Sequence, residues 1–322
     1  MGIKIVGSGM HVPTSKLSNK DLESIVETTD EWISTRTGIK NRHLVSTENT
    51  VELAYESAKR AIEDAKIDPS EIGLIIVATF TPEQLTPATA CLVQSRLGLN
   101  HQQVIAFDMN AACTGFVYAL STAEQFLKNK TIKKALVIGA EVLSKIMDWN
   151  DRSTCVLFGD GAGAAIIEYE DTLDYPFYLN SSGDEERVLT TTKLPINNPL
   201  SHQAIEPIHF QMNGGQVFKF AVNAIKETAS ILLEQNNFSL DDIDLVIPHQ
   251  ANKRIIDKVV KDLNASSEQF FLNVSEYGNT SAASIPIALH EARLNKKIKH
   301  GDKAMLIGFG GGLTWGGCIV SI

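Results

Sequence analysis

The chain has 322 residues, of which 43% are hydrophobic and 21% are charged, and its formal net charge at pH 7 is −9. This composition predicts a globular protein with a substantial core, arranged as one large domain or as two closely packed halves. An acidic chain lacks the general basic face that binds nucleic acid or an anionic membrane, so we expect neither kind of partner.

The opening residues and the cysteines argue against several kinds of segment and site. The first apolar stretch is too short for a secretory signal, and no apolar run approaches the ~20 residues that span a bilayer, so we expect a cytoplasmic protein. The cysteines are widely spaced, with no CxxC pair and no histidine cluster, which predicts neither a disulfide framework nor a metal site. They are Cys91, Cys113, Cys155 and Cys318.

Helical and strand-like patterns alternate along the first half of the chain. A helical pattern begins at Thr50 and precedes the apolar run LIIVAT, which begins at Leu74. This run is continuous rather than alternating, as in strands that helices cover on both faces. The patterns predict an α/β fold.

Cys113 lies in AACTGF, between a strand-like run and an apolar run with helical spacing. We therefore expect its sulfur at the N-terminus of a helix, where the helix dipole favours the thiolate. A thiolate can accept an acyl group from another thioester, which suits acyl relay better than hydrolysis. The alternative is a buried, inert cysteine, and this is our interpretation of the other three.

The middle of the chain contains an irregular segment, residues 179–212, which is rich in Ser, Thr, Asn and Pro. It has no counterpart in the first half of the chain. We interpret it as an inserted loop and as the rough boundary between an N-terminal half, residues 1–173, and a C-terminal half, residues 174–322.

The second half repeats the pattern of the first. DPSEIGLIIVAT from Asp68 resembles SLDDIDLVIPHQ from Ser239 at an offset of 171, and KKALVIG resembles DKAMLIG at an offset of 169. At the second offset, CTGFVYAL from Cys113 falls on AASIPIAL from Ala282. Three matches at nearly one spacing predict two duplicated α/β halves.

Two polar segments of the second half are candidates to complete the chemistry of Cys113. His249 follows a strand-like run at its C-terminal end, where α/β folds concentrate their sites, and Asn279 lies in YGNTSAAS. The repeat places the loop of Asn279 opposite the start of the Cys113 helix. The alternatives are a structural or exposed histidine, and an asparagine that caps a turn or a helix.

These three side chains permit two kinds of reaction. In a cysteine protease the histidine would act as the base for the thiol, and the asparagine would orient it. As a neutral donor pair, the two side chains would instead stabilise an enolate or an oxyanion, as decarboxylative carbon–carbon bond formation requires. The CGSCW context of papain-like proteases is absent, but the residues alone do not decide between the roles.

Two glycine clusters begin at Gly159 and Gly308. Neither has the GxGxxG spacing with a downstream acidic residue that marks a dinucleotide site, so we expect no such site. Gly310, Gly311 and Gly312 suit a close approach of backbone N–H groups to a reacting carbonyl, or a tight turn between two strands.

Five segments occur in the order AACTGF, DRSTCVLFGDGAGA, HQANKRI, YGNTSAASIP and GFGGGLTWG. Together they resemble the β-ketoacyl-acyl-carrier-protein synthase III family of the thiolase fold. The resemblance implies two duplicated halves in a layered αβαβα arrangement, a homodimer and no cofactor. It also implies the initiation of type II fatty acid synthesis. In that reaction an acyl-CoA primer acylates the cysteine, and malonyl acyl carrier protein then loses CO₂ and condenses to give 3-oxoacyl carrier protein.

The resemblance also assigns roles to individual residues. It implies Cys113 as nucleophile, His249 and Asn279 as the groups that promote decarboxylation, and the backbone N–H groups of Cys113 and Gly311 as the oxyanion hole. Trp32 shares a predicted helix face with an arginine four residues later, which gives a stacking surface beside a phosphate donor. The coenzyme A contacts implied by the resemblance are Thr28, Trp32, Arg36, Arg152, Gly214, Ala251 and Asn252.

The last assigned residues are a basic stripe, which could contact acyl carrier protein, and one residue of the acyl pocket. Arg254, Lys258 and Lys261 recur at helical spacing on an acidic protein. The resemblance implies that acyl carrier protein docks there, with Lys219 as a further contact, whereas a solvated helix face is the alternative. It also places Thr86 near the end of the acyl pocket, where relatives often have a bulky aromatic residue, so the primer's length and branching stay open.

Other classes of protein remain as alternatives. A hydroxymethylglutaryl-CoA synthase shares the fold but condenses without decarboxylation and needs a general-base glutamate near the cysteine. A ketosynthase or acyltransferase of a secondary pathway, such as a polyketide-type synthase, is a second relative. A noncatalytic carrier-binding protein is disfavoured, because all three reactive positions are filled.

Overall fold

The computed structural model describes residues 2–201, 204 and 206–322. In this part of the chain the strands are β1 (Gly2–His11), β2 (Lys16–Ser18), β3 (Asn41–His43), β4 (Ile72–Ala78), β5 (Ile105–Met109), β6 (Lys134–Glu141), β7 (Gly161–Glu170), β8 (Tyr178–Ser181), β9 (Leu189–Thr191), β10 (Phe210–Met212), β11 (Leu245–Pro248), β12 (Lys303–Gly310) and β13 (Thr314–Ser321). The α-helices are α1 (Asn19–Leu22), α2 (Asp30–Thr37), α3 (Thr50–Ala65), α4 (Thr89–Arg96), α5 (Gly115–Lys128), α6 (Gly214–Asn236), α7 (Lys253–Asp262), α8 (Val274–Tyr277) and α9 (Ser284–Leu294).

The longer strands form a mixed sheet in the order β11-β12-β13-β1-β7-β6-β4-β5, and β8 also pairs with β13. The strands of the two halves meet between β13 and β1, at the parallel pair of Ser321 with Lys4. Within the first half β5, β4 and β6 are parallel, and within the second half β11 and β12 are parallel. The carboxyl ends of parallel strands therefore lie at one edge in each half.

Helices and strands are stacked in five layers. In the middle, α5 and α9 pack against strand residues of both halves, including Leu74, Ile76 and Leu245. The next residues along the strands face outward, so that Ile75 packs with α3 and α4, and Val246 packs with α6 and α7. Strands covered on both faces explain the continuous apolar runs in the sequence. The αβαβα order is the one that the resemblance implies.

The two halves repeat each other as the sequence offsets predict. Strands β6 and β12 begin and end 169 positions apart, and α5 and α9 begin 169 positions apart. Helices α3 and α6 end 171 positions apart, each followed by a left-handed residue, Lys66 at φ 55° and Asn237 at φ 53°. The duplication therefore extends to the caps that end the helices.

Residues 179–212 are more regular than the sequence predicts. Strand β8 pairs antiparallel with β13, just as β1 pairs antiparallel with β7 in the first half. Strand β9 pairs antiparallel with β10. Strands of three or four residues are too short to show a periodic pattern, which is why the sequence indicates only a loop here. Residues 202, 203 and 205 of this segment lie outside the described residues.

No helix among the described residues combines the length and the apolar character that crossing a bilayer demands.

Candidate active site

Two turns at the junction of the halves have the same backbone shape. A 3₁₀ turn leads into α5, and another leads into α9. Each begins with a non-glycine residue in the left-handed region, Ala112 at φ 45° and Ser281 at φ 50°. Cys113 is the second residue of the first turn, and Ala282 occupies the same place in the second. The cysteine therefore lies at a helix start, on a turn that stores backbone strain.

An asparagine side chain stabilises each turn. Asn110 Oδ1 accepts a hydrogen bond from the backbone N–H of Ala112 at 3.1 Å, and Asn279 Oδ1 accepts one from the N–H of Ser281 at 2.8 Å. Because Oδ1 of Asn279 is held in this way, its Nδ2 amide is the part left to donate. Asn279 is thus both a turn residue and an available hydrogen-bond donor.

Each turn packs against a glycine from the opposite half. An added Cβ on Gly139 in β6 would lie 2.1 Å from the carbonyl oxygen of Ala282, and one on Gly308 in β12 would lie 3.1 Å from the Cα of Thr114. Gly139 and Gly308 hold the same repeat position, so a strand of each half supports the turn of the other. This reciprocal packing brings the two turns into contact.

One cavity brings the three candidate side chains together. Cys113, His249 and Asn279 all line it, and Phe309 and Gly310 from the end of β12 complete this part of its wall. A second cavity also reaches Cys113. The thiol therefore lies where the two cavities meet, as a nucleophile that serves two substrates would require.

Cys113 is buried, with only 5% of its surface exposed. Its pKa is raised to about 12, chiefly by burial, with the Ser281 hydroxyl opposing the rise and the Glu141 carboxylate adding to it. The expectation that the helix start favours a thiolate is therefore wrong, because removal of the sulfur from water outweighs the helix dipole. At neutral pH the residue is a protonated thiol.

His249 follows β11 and is 1% exposed. Burial lowers the pKa of His249 to about 3, because a charged imidazolium would lose its hydration. Its Nδ1 lies 2.6 Å from Ser284 Oγ, and its ring meets the Phe309 ring edge-on at 4.9 Å between centroids. A neutral imidazole with this pKa is a poor base for a thiol of pKa about 12. The protease-type role is therefore disfavoured.

The glycines at the end of β12 lie against the cysteine. Gly310 is extended, with φ 179°. Because glycine has no side chain, Cys113 can pack directly against the Gly310 backbone. Gly311 lines the second cavity together with Cys113. An oxyanion hole formed by the backbone N–H groups of Cys113 and Gly311 requires that both residues line one cavity, as they do here. Gly312 is left-handed, with φ 75°, and forms the turn into β13.

The part of the chain that the structure describes contains no group of three or more His, Cys, Asp or Glu side chains that could hold a metal ion.

Comparisons with known proteins place the chain among its relatives. A family model described as 3-oxoacyl-[acyl-carrier-protein (ACP)] synthase III matches residues 107–183, and the model of its C-terminal part matches residues 233–322. The β-ketoacyl-[acyl-carrier-protein] synthase III of Clostridium acetobutylicum is 47% identical over 320 residues, covering 99% of this chain and 98% of the relative. The chain belongs to the β-ketoacyl-acyl-carrier-protein synthase III family.

Solved structures of the family agree with this assignment. The 3-oxoacyl-[acyl-carrier-protein] synthase III of Aquifex aeolicus VF5 gives a TM-score of 0.92 at 44% identity, with 100% of both chains covered. The enzyme of Thermus thermophilus gives 0.91 at 38% identity, with 99% of both chains covered. The thiolase-like fold and the enzyme class, a condensing acyltransferase, are thereby confirmed, and the protease and noncatalytic alternatives are wrong.

Most of the residues that the synthase III resemblance assigns to coenzyme A surround one region of the first cavity. Trp32 is flanked by two guanidinium groups, with Arg36 at 5.0 Å and Arg152 at 5.2 Å from its ring centroid. Thr28 does not line the cavity, and its buried hydroxyl has no hydrogen-bond partner among the described residues. Those that line the cavity are Trp32, Arg36, Gly214, Ala251 and Asn252.

The basic stripe lies on α7, beside the same cavity. Arg254, Lys258 and Lys261 are all exposed, but Lys258 is paired with Asp262 one turn later. The Arg254 guanidinium lies 5.9 Å from the ring of Phe218, which lines the first cavity. Lys219, also exposed, follows this phenylalanine in the chain. Asp262 also pairs with Lys226 of α6, so this one carboxylate offsets only part of the positive charge of the two lysines.

Thr86 lies apart from the other candidate residues. It is exposed in the segment between β4 and α4, and within one chain it lines neither cavity, so its placement in the acyl pocket is not reproduced. The second cavity is instead lined by Phe80, Phe158 and Phe210, two of which stack edge-on at 4.7 Å. The sequence gives no signal for these rings, because their convergence depends on tertiary packing.

Glu141 is a buried residue that sequence reasoning missed. Its Oε2 accepts hydrogen bonds from Thr79 Oγ1, the Phe80 N–H and the Thr81 N–H at 3.2–3.3 Å, whereas its Oε1 has no partner among the described residues. Burial raises the pKa of Glu141 to about 7. The available signal was a carboxylate at the end of the apolar run ALVIGA, where a charge requires specific partners.

Proposed function

We propose that this chain condenses an acyl-CoA primer with malonyl acyl carrier protein, releasing CO₂ and forming 3-oxoacyl carrier protein. The observation that carries the proposal is one cavity lined by a protonated thiol and two neutral hydrogen-bond donors, on Cys113, His249 and Asn279. Both substrates are thioesters, so the reaction needs no separate cofactor. Family membership supports the same chemistry.

In the first half-reaction, the sulfur of Cys113 bonds to the acyl carbon of the primer, and the bond from that carbon to the coenzyme A sulfur breaks. Because the pKa of Cys113 is about 12, the thiol keeps its proton until attack, and the proton passes to the departing coenzyme A thiolate. The backbone N–H groups of Cys113 and Gly311 stabilise the tetrahedral oxyanion. One thioester replaces another, so little group potential is lost.

In the second half-reaction, His249 and Asn279 donate hydrogen bonds to the thioester carbonyl of the malonyl group. The bond to its carboxylate breaks, CO₂ leaves, and the electron pair remains as an enolate that the two neutral donors stabilise. The enolate carbon then attacks the acyl carbon on Cys113. The carbon–sulfur bond breaks, and the thiolate regains a proton from water.

The two cavities divide the substrates between them. At the first cavity, Trp32 offers an aromatic ring for the base and Arg36 offers a cation for phosphate groups, and Arg152 adds a second cation beside the Trp32 ring, so coenzyme A occupies this side. The second cavity is lined by aromatic rings and suits the apolar acyl chain of the primer. The hydroxyl of Thr28 needs a ligand or a water as partner, which keeps it a candidate contact at the rim.

Acyl carrier protein docks beside the first cavity. Arg254, Lys261 and Lys219 present positive charge there, whereas Lys258 is held in an ion pair with Asp262, which also pairs with Lys226. An acidic carrier would be steered to this patch on an otherwise acidic enzyme, and the attraction would weaken with salt.

The enzyme acts as a cytoplasmic homodimer. Strand β5 ends the sheet, and its Ile105 is 42% exposed, which leaves an edge that a second copy of the strand can extend. Thr86, next to the 84% exposed Leu85, belongs to this interface rather than to the acyl cavity of its own chain. The four free cysteines suit a reducing compartment.

The proposed halves are residues 1–173 and 174–322. The boundary falls in the connection between β7 and β8, where no strand or helix is interrupted.

Separate assays of the two half-reactions test the assigned roles. Cys113→Ala should abolish transfer of a labelled acyl group from acyl-CoA to the protein. His249→Ala and Asn279→Ala should keep this transfer but decarboxylate malonyl carrier protein about 100-fold more slowly, since each removes one donor to the enolate. Equal loss of acyl transfer in all three variants would contradict the roles. Failure of the unmodified enzyme with every primer from acetyl to medium chain would contradict the function.

A further inference from the structure

The imidazole of His249 has one close polar neighbour on the side away from the substrate. Its Nδ1 lies 2.6 Å from the hydroxyl oxygen of Ser284, the first residue of α9. The serine is 2% exposed and the histidine 1% exposed, so water does not compete for this contact. The backbone N–H of Gln250 also points to the serine oxygen, at 3.4 Å.

The hydrogens available on the two groups determine which atom donates in this contact. The Ser284 oxygen already accepts from the Gln250 N–H, and its own hydrogen needs an acceptor. Among the described residues, the acceptor within reach is His249 Nδ1. If Nδ1 carried a proton and donated instead, the hydroxyl hydrogen would be buried without a partner, which is costly. The serine therefore donates to Nδ1.

We infer that Ser284 is a positioning residue that fixes the tautomer of His249. A neutral imidazole carries one hydrogen, and acceptance at Nδ1 places this hydrogen on Nε2. No described residue occupies Nε2, and the ring lines the first cavity. Ser284 thus keeps the ring in the form that can donate to the malonyl carbonyl, although the serine itself does not touch the substrate. The inference deepens the proposed function and rests on it.

The duplicated first half supplies an internal comparison. The repeat places Ala78 at the position of His249 and Gly115 at the position of Ser284. An added Cβ on Gly115 would lie 3.1 Å from the Cβ of Ala78, so the two positions touch in that half as well. The half without an imidazole thus also lacks the hydroxyl. The imidazole and the hydroxyl are thus present together in one half and absent together in the other. This is expected if the serine acts on the histidine, and not if the serine merely caps a helix.

Nitrogen NMR on the enzyme labelled with ¹⁵N-histidine reads the tautomer directly. In the unmodified enzyme, His249 should show a pyrrole-type Nε2 and a pyridine-type Nδ1, with His249→Ala used to assign its signals. A pyrrole-type Nδ1 would overturn the inference. This measurement needs no turnover, so it can fail or succeed independently of the proposed function.

Ser284→Ala tests the consequence for catalysis. Without the hydroxyl, His249 should populate both tautomers, and decarboxylation of malonyl carrier protein should slow about tenfold, the rate equivalent of one hydrogen bond, while acylation of Cys113 stays unchanged. Ser57→Ala is the matched control, because its hydroxyl is equally buried but bonds only to Ala54 within α3. If the Ser284→Ala enzyme kept one tautomer and the normal decarboxylation rate, the serine would be structural only.

Discussion

An added Cβ on Gly310 would lie 2.8 Å from the Cβ of Cys113 and 2.9 Å from its backbone nitrogen. These neighbours belong to the turn of Cys113, which cannot move aside without moving the sulfur. Gly310→Ala is therefore expected to slow acylation by acyl-CoA about 100-fold. It should also cost about 1–3 kcal/mol in the free energy of unfolding. Single-turnover acylation and urea unfolding measure the two effects.

Gly215→Ala is the control for this substitution. An added Cβ there would meet only Asn213 Oδ1 at 3.7 Å, and the residue is in the first turn of α6. The change should preserve acylation and raise stability by up to about 1 kcal/mol. Equal behaviour of the two variants would show that the contact with Cys113 is not tight.

The protonation state of Cys113 can be read from its alkylation. With a pKa of about 12, its thiolate fraction should increase about tenfold per pH unit, so the rate with iodoacetamide should rise about 100-fold from pH 7 to pH 9 without a plateau. Mass spectrometry in a Cys91→Ser background isolates this signal, because Cys91 is exposed. His249→Ala should leave the profile unchanged. A plateau near neutral pH that depends on His249 would restore an activating role for the histidine.

Glu141 makes stability depend on pH. Its pKa is about 7 in the folded chain and near the ordinary 4.5 in the unfolded chain, so the unfolded chain loses this proton first as pH rises. Stability is then lost between about pH 4.5 and 7 and stays low above pH 7, by up to about 3 kcal/mol. Glu141→Gln, which mimics the protonated form, should raise the melting temperature more at pH 8 than at pH 5.

A surface glutamate provides the control for Glu141→Gln. Glu63→Gln removes one carboxylate from the exposed part of α3 and should not reproduce the increase between pH 5 and pH 8. The neighbouring Lys145, whose own pKa is lowered by burial, favours an ionised Glu141 and works against the effect. A gain that is independent of pH would indicate better packing rather than the removal of a buried charge.

The docking patch predicts unequal effects for two basic residues of α7. Arg254→Gln should raise KM for malonyl carrier protein on the order of tenfold at low salt, and less at high salt. Lys258→Gln should have a smaller effect, because the Lys258 ammonium is held by Asp262 and must leave this ion pair to contact the carrier. Initial rates at two ionic strengths, with acyl-CoA saturating, provide the comparison. Equal effects of the two substitutions would contradict the assignment of the patch.

Much of the fold and part of the site follow from the sequence, because both depend on local pattern. Continuous apolar runs and repeated offsets indicate the buried strands, and the same register pairs the loop of Asn279 with the turn of Cys113. Strand β8 was not predicted, because four residues are too few to show a periodic pattern of apolar side chains. Its pairing with β13 is set by the surrounding structure rather than by its own residues.

The electrostatic properties of the site could not be predicted in the same way. A helix start favours a thiolate, and the sequence shows a helix start, but the pKa of Cys113 depends on how completely other elements bury it. The local sequence around Thr86 likewise does not show that this residue lies outside both cavities of its chain. The role of Ser284, by contrast, could have been predicted from the sequence. The repeat aligns Ser284 with Gly115, so the second half carries a hydroxyl beside His249 where the first half has none.

Each half of this enzyme packs against a turn that belongs to the other half. Gly139 of the first half supports the turn of Asn279, and Gly308 of the second half supports the turn of Cys113. A fragment ending near residue 173 would contain Cys113 without the strand of the second half against which its turn packs. Activity should therefore appear only after both halves have folded and docked, and thermal unfolding should remove the site and the core in a single cooperative step.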